Sequence, residues 1–451
     1  MQGNAVKLRD TGKFGRVPRP IPATVRPVNL KQLRQCVAPT GTCLAPFRPR
    51  GAGHSATACA ESTAGTVIDM TAFDDILNID AYNDVVVAQA GVRIGKLAEA
   101  LAEHGLELAG GHDLASHTLG GAIAGACTGP AIADDGALFA SRVTAMKVVT
   151  PGGRLLEIGE DKQSLLNAFR LSYGMLGVIY EVTLKVRPVN PFAVAHRRCN
   201  IRQFAAAADK LSRTDIGVKF HMLPFRDRVY LELRRYGRDV TAAHRVPWKI
   251  KDWGETTVLP HVFKSLGRLL PVPAVRYRII DEISQLSHGL LNNRLVAAGN
   301  NAIASPGAFP VDTLRYSTWV FPAADFSVVV QAYRDFCWRI RRATGFRCDM
   351  PTVGFRLCRD RSALLSPSFD EPMFALRAVS TQVKGWEDFV IDFAEFAQHW
   401  GGMPLFNQSR AVEPAYANEA FGSRVDFFRR MRRRIDPENR MMNPFLSQYF
   451  L

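Results

Sequence analysis

The sequence predicts an α+β protein in two unlike parts, and three observations carry that prediction. Short β-branched runs alternate with glycine turns up to about Asn190, the composition then shifts toward arginine and aromatic residues, and the second part holds two long amphipathic stretches. In the first part, Thr66-Val67-Ile68-Asp69-Met70 and Val85 to Ala90 read as strands. Between Gly91 and Gly105 the apolar residues Ile94, Leu97 and Leu101 recur at helical spacing, and Gly105 ends that helix. Val143 to Thr150 is a strand closed by Pro151-Gly152-Gly153, and Val178 to Val186 is a strand stopped by Pro188. In the second part Val229 to Leu233 alternates as a strand does. Phe326 to Ile340 and Trp386 to Trp400 read as helices packed by one apolar face. The stretch from Trp248 to Arg294 fits a mobile, partly helical insert.

A chain of 451 residues exceeds what one hydrophobic core serves, so two or three domains are expected. Its 47% apolar and 22% charged residues are ordinary for a soluble protein, and no run approaches the ~18–20 apolar residues of a spanning helix. Met1 to Arg16 lacks the apolar stretch of a secretory signal, so a cytoplasmic location is expected. The net charge is +15, and its densest basic run, Arg424 to Arg440, reads first as the solvated face of a C-terminal helix. Attraction to an anionic membrane surface is the second reading, which keeps peripheral membrane association open. No helix-turn-helix, zinc-finger or ribonucleoprotein signature is present, so nucleic acid is not an expected partner. The eight cysteines form no C-x-x-C pair and match no zinc ligand set, so they are expected to be reduced and mostly buried, with no structural metal.

The chemistry is written in the glycine-rich turns. In Phe47-Arg48-Pro49-Arg50-Gly51-Ala52-Gly53-His54-Ser55, two glycines one residue apart let the backbone turn tightly and bring bare N–H groups against an anion. No third glycine and no long helix follow, so this is not the dinucleotide fingerprint G-x-G-x-x-G. Thr118-Leu119-Gly120-Gly121-Ala122-Ile123-Ala124-Gly125 and Ser172 to Ile179, with Gly174 and Gly177, follow in order. Several glycine-rich turns in one domain, each between apolar elements, suit a long diphosphate-containing ligand laid across them.

In order and wording these turns resemble the FAD-binding domain of the vanillyl-alcohol oxidase/p-cresol methylhydroxylase superfamily, and most nearly its aldonolactone oxidase and alditol oxidase branch. The resemblance covers roughly Thr24 to Pro188 and resumes in Leu365-Ser366-Pro367-Ser368-Phe369 and in the tail from Arg434 to Pro444. It implies a PCMH-type FAD-binding domain of two α+β subdomains over 1–190, an α+β cap domain with an antiparallel sheet over 191–425, and a tail, 426–451, that returns to the flavin domain. It implies FAD as cofactor, held by Arg50, Gly51, Ala52, Gly53, His54, Ser55, Asp113, Thr118, Gly120, Gly121, Gly125, Gly177, Val178, Ile179 and Asn443. It also implies a covalent bond from the His54 ring to the flavin, which a neutral, nucleophilic imidazole can make. Cys127 is expected to pack near the cofactor.

For the substrate the resemblance implies a Glu-x-Arg pair on a strand and a late lysine. Here Arg356 is present, the glutamate position is Gly354, and Gln408 stands for the lysine. Arg356 and Gln408 are the expected catalytic residues, with His399, Tyr316 and Tyr449 as candidate proton acceptors. The leading expectation is an FAD-linked oxidase or dehydrogenase that takes a hydride from a CH–OH group of a sugar-, lactone- or alcohol-like small molecule to flavin N5. Oxygen or another carrier would accept the electrons. Oxidative C–C, C–N or ring formation in a biosynthetic pathway is the alternative, and a catalytically silent flavin-binding protein is the third reading.

Overall fold

The computed structural model describes residues 23–110, 114–130, 132, 138–190, 192–236, 254, 258–292, 297–298 and 314–451. The first part of the chain holds two sheets. β1 (Ala23–Val25), β2 (Phe47–Arg50) and β3 (Thr66–Asp69) form a parallel sheet in the order β1-β3-β2. β4 (Ile76–Asp80), β5 (Val85–Gln89), β7 (Val143–Val149), β8 (Leu155–Ile158) and β9 (Val178–Lys185) form an antiparallel sheet in the order β4-β5-β9-β7-β8. A short pair, β6 (Leu106–Glu107) with β10 (Arg187–Pro188), leads out of this part. The helix Ile94–Glu103 buries Ile94, Leu97, Ala98 and Leu101 on one side, the stripe its spacing predicts.

The second part is built on one eight-stranded sheet. Its strands are β11 (Phe192–Cys199), β12 (Gly217–Leu223), β13 (Arg228–Tyr236), β14 (Ala297–Ala298), β15 (Arg315–Pro322), β16 (Thr352–Leu357), β17 (Met373–Ser380) and β18 (Met403–Pro404). They run in the order β14-β11-β13-β12-β16-β17-β15-β18, and every pairing is antiparallel. The helices Ile201–Ser212 and Phe326–Thr344 cover one face. The first is started by a capping box between Asn200 and Gln203, and the second is stopped by Gly345 at φ 75°. Phe204 packs on Phe220 at 4.7 Å and Phe326 stacks on Phe374 at 4.4 Å, which joins both helices to β12 and β17.

Strand pleating then divides the sheet residue by residue. Phe220, Gly354 and Leu376 stand in register on the helix side, as do Arg356 and Phe374. Their neighbours Lys219, His221, Val353, Phe355, Arg377 and Val379 turn to the other side and line a cavity.

The last residues pack on the first part of the chain. Phe47 donates from its backbone N to the Arg440 carbonyl at 2.7 Å, and Arg440 reaches Pro151 O and Ala38 O. Arg48, wholly buried within β2, donates to the carbonyls of Tyr173, Gly174 and Met441. One guanidinium thus holds a strand, a glycine turn and the tail together, and burial lowers its pKa to about 10. The arginine run lies on the helix Ser423–Ile435, though not as a uniform solvated face: Arg432 is 1% exposed and donates to Asn439, while Arg429 donates to the Tyr449 carbonyl. Of the stretch 248–294, the described part is mostly the two helices Leu259–Leu269 and Pro273–Asn292.

Candidate functional site

A cavity of about 630 Å³ lies between the glycine turns of the first part and the free face of the eight-stranded sheet. On the first side it is lined by Arg50, Gly51, Ala52, Gly53, His54 and Ser55, by Thr118, Gly120, Gly121 and Gly125, and by Gly177 and Ile179. β2 delivers the first turn, the second glycine segment is not a turn but the short helix Leu119–Ala124 with Thr118 and Gly125 as its caps, and Gly177 leads straight into β9. Most of the expected cofactor residues therefore meet in one place, although they are up to about 130 positions apart in sequence.

Close backbone approach explains the glycines. A Cβ on Gly51 would lie 1.9 Å from Thr118 Oγ1, and one on Gly125 would lie 2.9 Å from Asn407 Nδ2. Gly177 sits at φ 147°, where a Cβ would also meet Val149 O at 2.7 Å. Gly53, at φ 78°, has nothing within 4 Å of its missing side chain, so its backbone is bare toward the cavity.

FAD fits this lining. Arg48, Arg50, Lys219, Arg315, Arg377 and Arg410 contribute, and no Asp or Glu does among the described residues, which suits a diphosphate. Thr118 Oγ1 is buried without a hydrogen-bond partner, a donor left for a ligand.

His54 lines the cavity with Nε2 3.1 Å from the Ser116 carbonyl, and its ring stacks on His117 at 4.3 Å. Burial pulls the His54 pKa below its ordinary value, with the Ser116 carbonyl opposing and Arg93 adding to the fall. His117 falls further, to about 3, through burial first and then the charges of His54 and Arg377. Both rings are neutral at pH 7. Cys127 also lines the cavity, and burial raises its thiol to about 12, which keeps it an inert packing group.

On the sheet side the strongest feature is Arg377. Its Nε donates to Thr318 Oγ1 and its Nη2 to Gln408 Oε1, both at 3.0 Å. Its charged carbon lies 5.2 Å from the centre of the Tyr316 ring. Gln408 in turn donates from Nε2 to Ala126 O at 2.8 Å, and Tyr316 donates to the His54 carbonyl at 2.7 Å. Ala56 N donates to Asn407 O at 2.9 Å. The sheet and the 405–409 loop therefore clamp the turns that carry His54 and Gly125.

Several expected site residues stand elsewhere. Arg356 is 3% exposed on the helix side of β16, where Nη1 donates to the Ser212 carbonyl at the end of the helix Ile201–Ser212. It neutralises a helix terminus and does not line the cavity. Gly354 is on that same side, with Phe220 Cζ 2.1 Å from where its Cβ would be. It makes room for a ring in the core and adds none to the cavity. Val353 and Phe355 are the β16 residues that face inward. Asn443 does not line the cavity. It starts the helix Pro444–Phe450 and donates from Nδ2 to Ala58 O at 2.8 Å and Glu61 O at 2.7 Å, bracing the segment just after His54. Val178 packs in a core cluster with Phe47 and Ile68.

Of the candidate proton acceptors, Tyr316 is in the cavity lining. His399 is exposed beside Trp400, and the Tyr449 hydroxyl is tied to Val412 O at 3.1 Å. Asp113 lies outside the described residues. Arg48, His117, Thr318 and Arg377 are the site residues the sequence reading did not single out.

Comparison with known proteins agrees with this geometry. The sequence model of a family described as an FAD binding domain matches residues 21–159. The L-gulono-1,4-lactone dehydrogenase of Mycobacterium tuberculosis is 30% identical over 209 residues, 46% of this chain and 47% of that one, so the match spans about half its length. The L-gulonolactone oxidase of Scyliorhinus torazame is 22% identical over 94% of both chains. Among solved structures, cholesterol oxidase from B. sterolicum superposes with a TM-score of 0.74 at 14% identity, over 99% of this chain and 100% of that chain, which establishes the shared fold. With its glycine turns and its sheet-backed cavity, the chain carries an FAD-binding domain over residues 21–159, is similar to aldonolactone dehydrogenases and oxidases, and shares its overall fold with cholesterol oxidase.

Proposed function

We propose that this protein oxidises a CH–OH group of a sugar-lactone-like or less hydroxylated alcohol substrate, passing the electrons to oxygen or another carrier, in the cytoplasm or at a membrane surface. The observation that carries the reading is the face-to-face arrangement of glycine turns and Arg377 across one cavity. Bound FAD supplies the hydride acceptor. The chain's own residues hold the carbinol and stabilise its oxygen. Arg377, locked by Thr318 and Gln408, offers a fixed cation to the carbinol oxygen, which carries negative charge once its proton has passed to solvent and before the hydride leaves its carbon. The experiment is an anaerobic screen of aldonolactones, alditols and larger secondary alcohols, following loss of the oxidised flavin absorbance. Bleaching by an alcohol supports the proposal. A flavin that no alcohol bleaches, while photoreduction still bleaches it, refutes it.

Polyols are expected to be poor substrates. Val353 and Phe355 give the β16 side of the cavity no hydrogen-bonding side chain. Each hydroxyl left unpaired there costs about 1–3 kcal/mol, so two such losses lower kcat/KM by roughly a hundredfold or more. Xylitol turnover at an ordinary enzymatic efficiency would show that water or backbone groups serve those hydroxyls.

Covalent attachment through His54 is expected as well, because burial keeps its ring neutral and nucleophilic and it lines the cofactor cavity. After acid precipitation the yellow colour should stay with the protein, and in His54→Ala it should pass into the supernatant. Complete release from the parent protein would leave only non-covalent binding.

The pH dependence follows from two buried cavity groups that feel the Arg377 charge. His117 is neutral above about 3, and burial holds the Tyr316 hydroxyl protonated up to about 12. Neither changes state in the physiological range. Substrate-driven flavin reduction should therefore vary less than about threefold between roughly pH 5.5 and 8.5. A tenfold fall per pH unit on either side would reveal another titrating group.

A further inference from the structure

We infer that the exposed apex joining the helices Leu259–Leu269 and Pro273–Asn292 is a docking surface for an anionic lipid membrane. Leu269-Leu270-Pro271-Val272-Pro273-Ala274-Val275 is an unbroken apolar run, and all of it except the half-buried Leu270 is exposed. Leu269 is 74%, Val272 54% and Val275 50% exposed. Single exposed apolar residues are common on soluble proteins, whereas a contiguous run at a protruding turn marks a contact surface.

The run is not left over from a poorly packed hairpin. Leu259, Phe263, Tyr277 and Ile280 form a core of their own at the base, with Leu266, Ile283 and Met350 packed against it. The base is satisfied and the apex extends beyond it. Pro271 and Pro273 also carry no backbone N–H, so the apex has fewer donors to desolvate in an interface.

Charge selects the occupant. From Val258 to Ile280 the chain carries Lys264, Arg268, Arg276 and Arg278 and no Asp or Glu, and Arg268 and Arg278 are exposed. The next acidic residues toward the C-terminus, Asp281 and Glu282, are already paired. Asp281 binds Arg347 and, at 3.0 Å, Arg226, while Glu282 binds Arg226 at 2.7 Å. Among the described residues these basic flanks have no acidic partner around the aliphatic tip, the pattern an anionic headgroup layer over hydrocarbon accepts. A second copy of the chain would bring the same positive flanks together. Among the described residues no helix is long and apolar enough to cross a membrane, so the contact is peripheral. Leu259 and His288 line the cavity at the other end of these helices, so the same hairpin joins the cavity wall to the apex.

The test is co-sedimentation of the full flavin-loaded chain with vesicles of phosphatidylcholine containing about 30% phosphatidylglycerol, and with phosphatidylcholine alone. The expected result is binding to the anionic vesicles only, weakened severalfold in 0.5 M salt. Leu269→Glu with Val272→Glu should lower the partition coefficient at least about tenfold. Both positions are exposed, so that variant should keep its flavin spectrum and thermal midpoint, and a variant that loses either is replaced by Leu269→Ser with Val272→Ser. Equal binding of parent and variant, or no binding to anionic vesicles, would overturn the inference. A parent dimer in vesicle-free buffer that the variant abolishes would assign the apex to a second copy and overturn it too.

Discussion

Arg377→Met should retain flavin and lose substrate oxidation, with kcat/KM down by about 10²–10³. That size is typical when one fixed donor to a developing oxyanion is removed. The guanidinium is half-buried and held at two nitrogens, by Thr318 and by Gln408, so little reorganisation is needed when charge appears on the substrate. Met keeps most of the volume and removes the charge. Gln408→Ala should show a smaller loss, roughly tenfold, because it frees Nη2 without deleting it and also drops the bond to Ala126 O. Gln408→Glu separates geometry from charge: a carboxylate at the same distance would hold Arg377 in place while neutralising it, and should cost more than the alanine. Stopped-flow reduction of the flavin by substrate measures all three variants. If Arg377→Met reduced as fast as the parent, the cation would have no part in the chemistry.

The glycine turns were legible in the sequence because their constraint is local. Gly51, Gly53 and Gly177 are required by close backbone approach or positive φ, and such positions look alike wherever an extended anionic ligand is wrapped. The strands and helices were legible for a similar reason: Ile94, Leu97 and Leu101 bury one face of their helix, and the spacing says so.

The substrate side was not legible to the same degree. β16 is covered on both faces, by helices on one and by the cavity on the other, and all its residues except Val353 are buried. With no polar alternation, nothing in Thr352 to Leu357 tells which set of side chains faces the cavity, and a reading one residue out exchanges Arg356 for Phe355. Arg377 carries a signal in the sequence itself. It is the one charged residue in Met373–Ser380, an otherwise largely apolar strand, and a lone cation there needs partners or a task. Arg48 was hidden differently, since its three carbonyl partners come from residues 173, 174 and 441, far away in sequence.

Gly51→Val should leave a folded protein that no longer keeps its flavin. The first turn and the second touch at this position: a Cβ would lie 1.9 Å from Thr118 Oγ1, 3.0 Å from its Cβ and 3.2 Å from its Cγ2. Rotation moves Oγ1 and Cγ2 but not the Thr118 Cβ, whose 3.0 Å contact stays in every rotamer and is tightened by the branches of a valine, so one of the two segments must give. Overpacking of this kind costs about 1–3 kcal/mol, which corresponds to roughly ten- to hundredfold weaker binding if the strain falls on the cofactor-bound form. It falls there because both turns line the cavity, while the cores beneath them, around Leu97, Leu119 and Ile123, are untouched. Gly51→Ala should show a milder form of the defect. Adding Thr118→Gly should then restore flavin retention only in part, since it removes the clash at little cost to the helix start but also deletes the hydroxyl left for the ligand. The readout is the ratio of flavin to protein absorbance after gel filtration, with circular dichroism to confirm the fold. Full flavin content in Gly51→Val would mean that the two turns do not need their present separation to hold the cofactor.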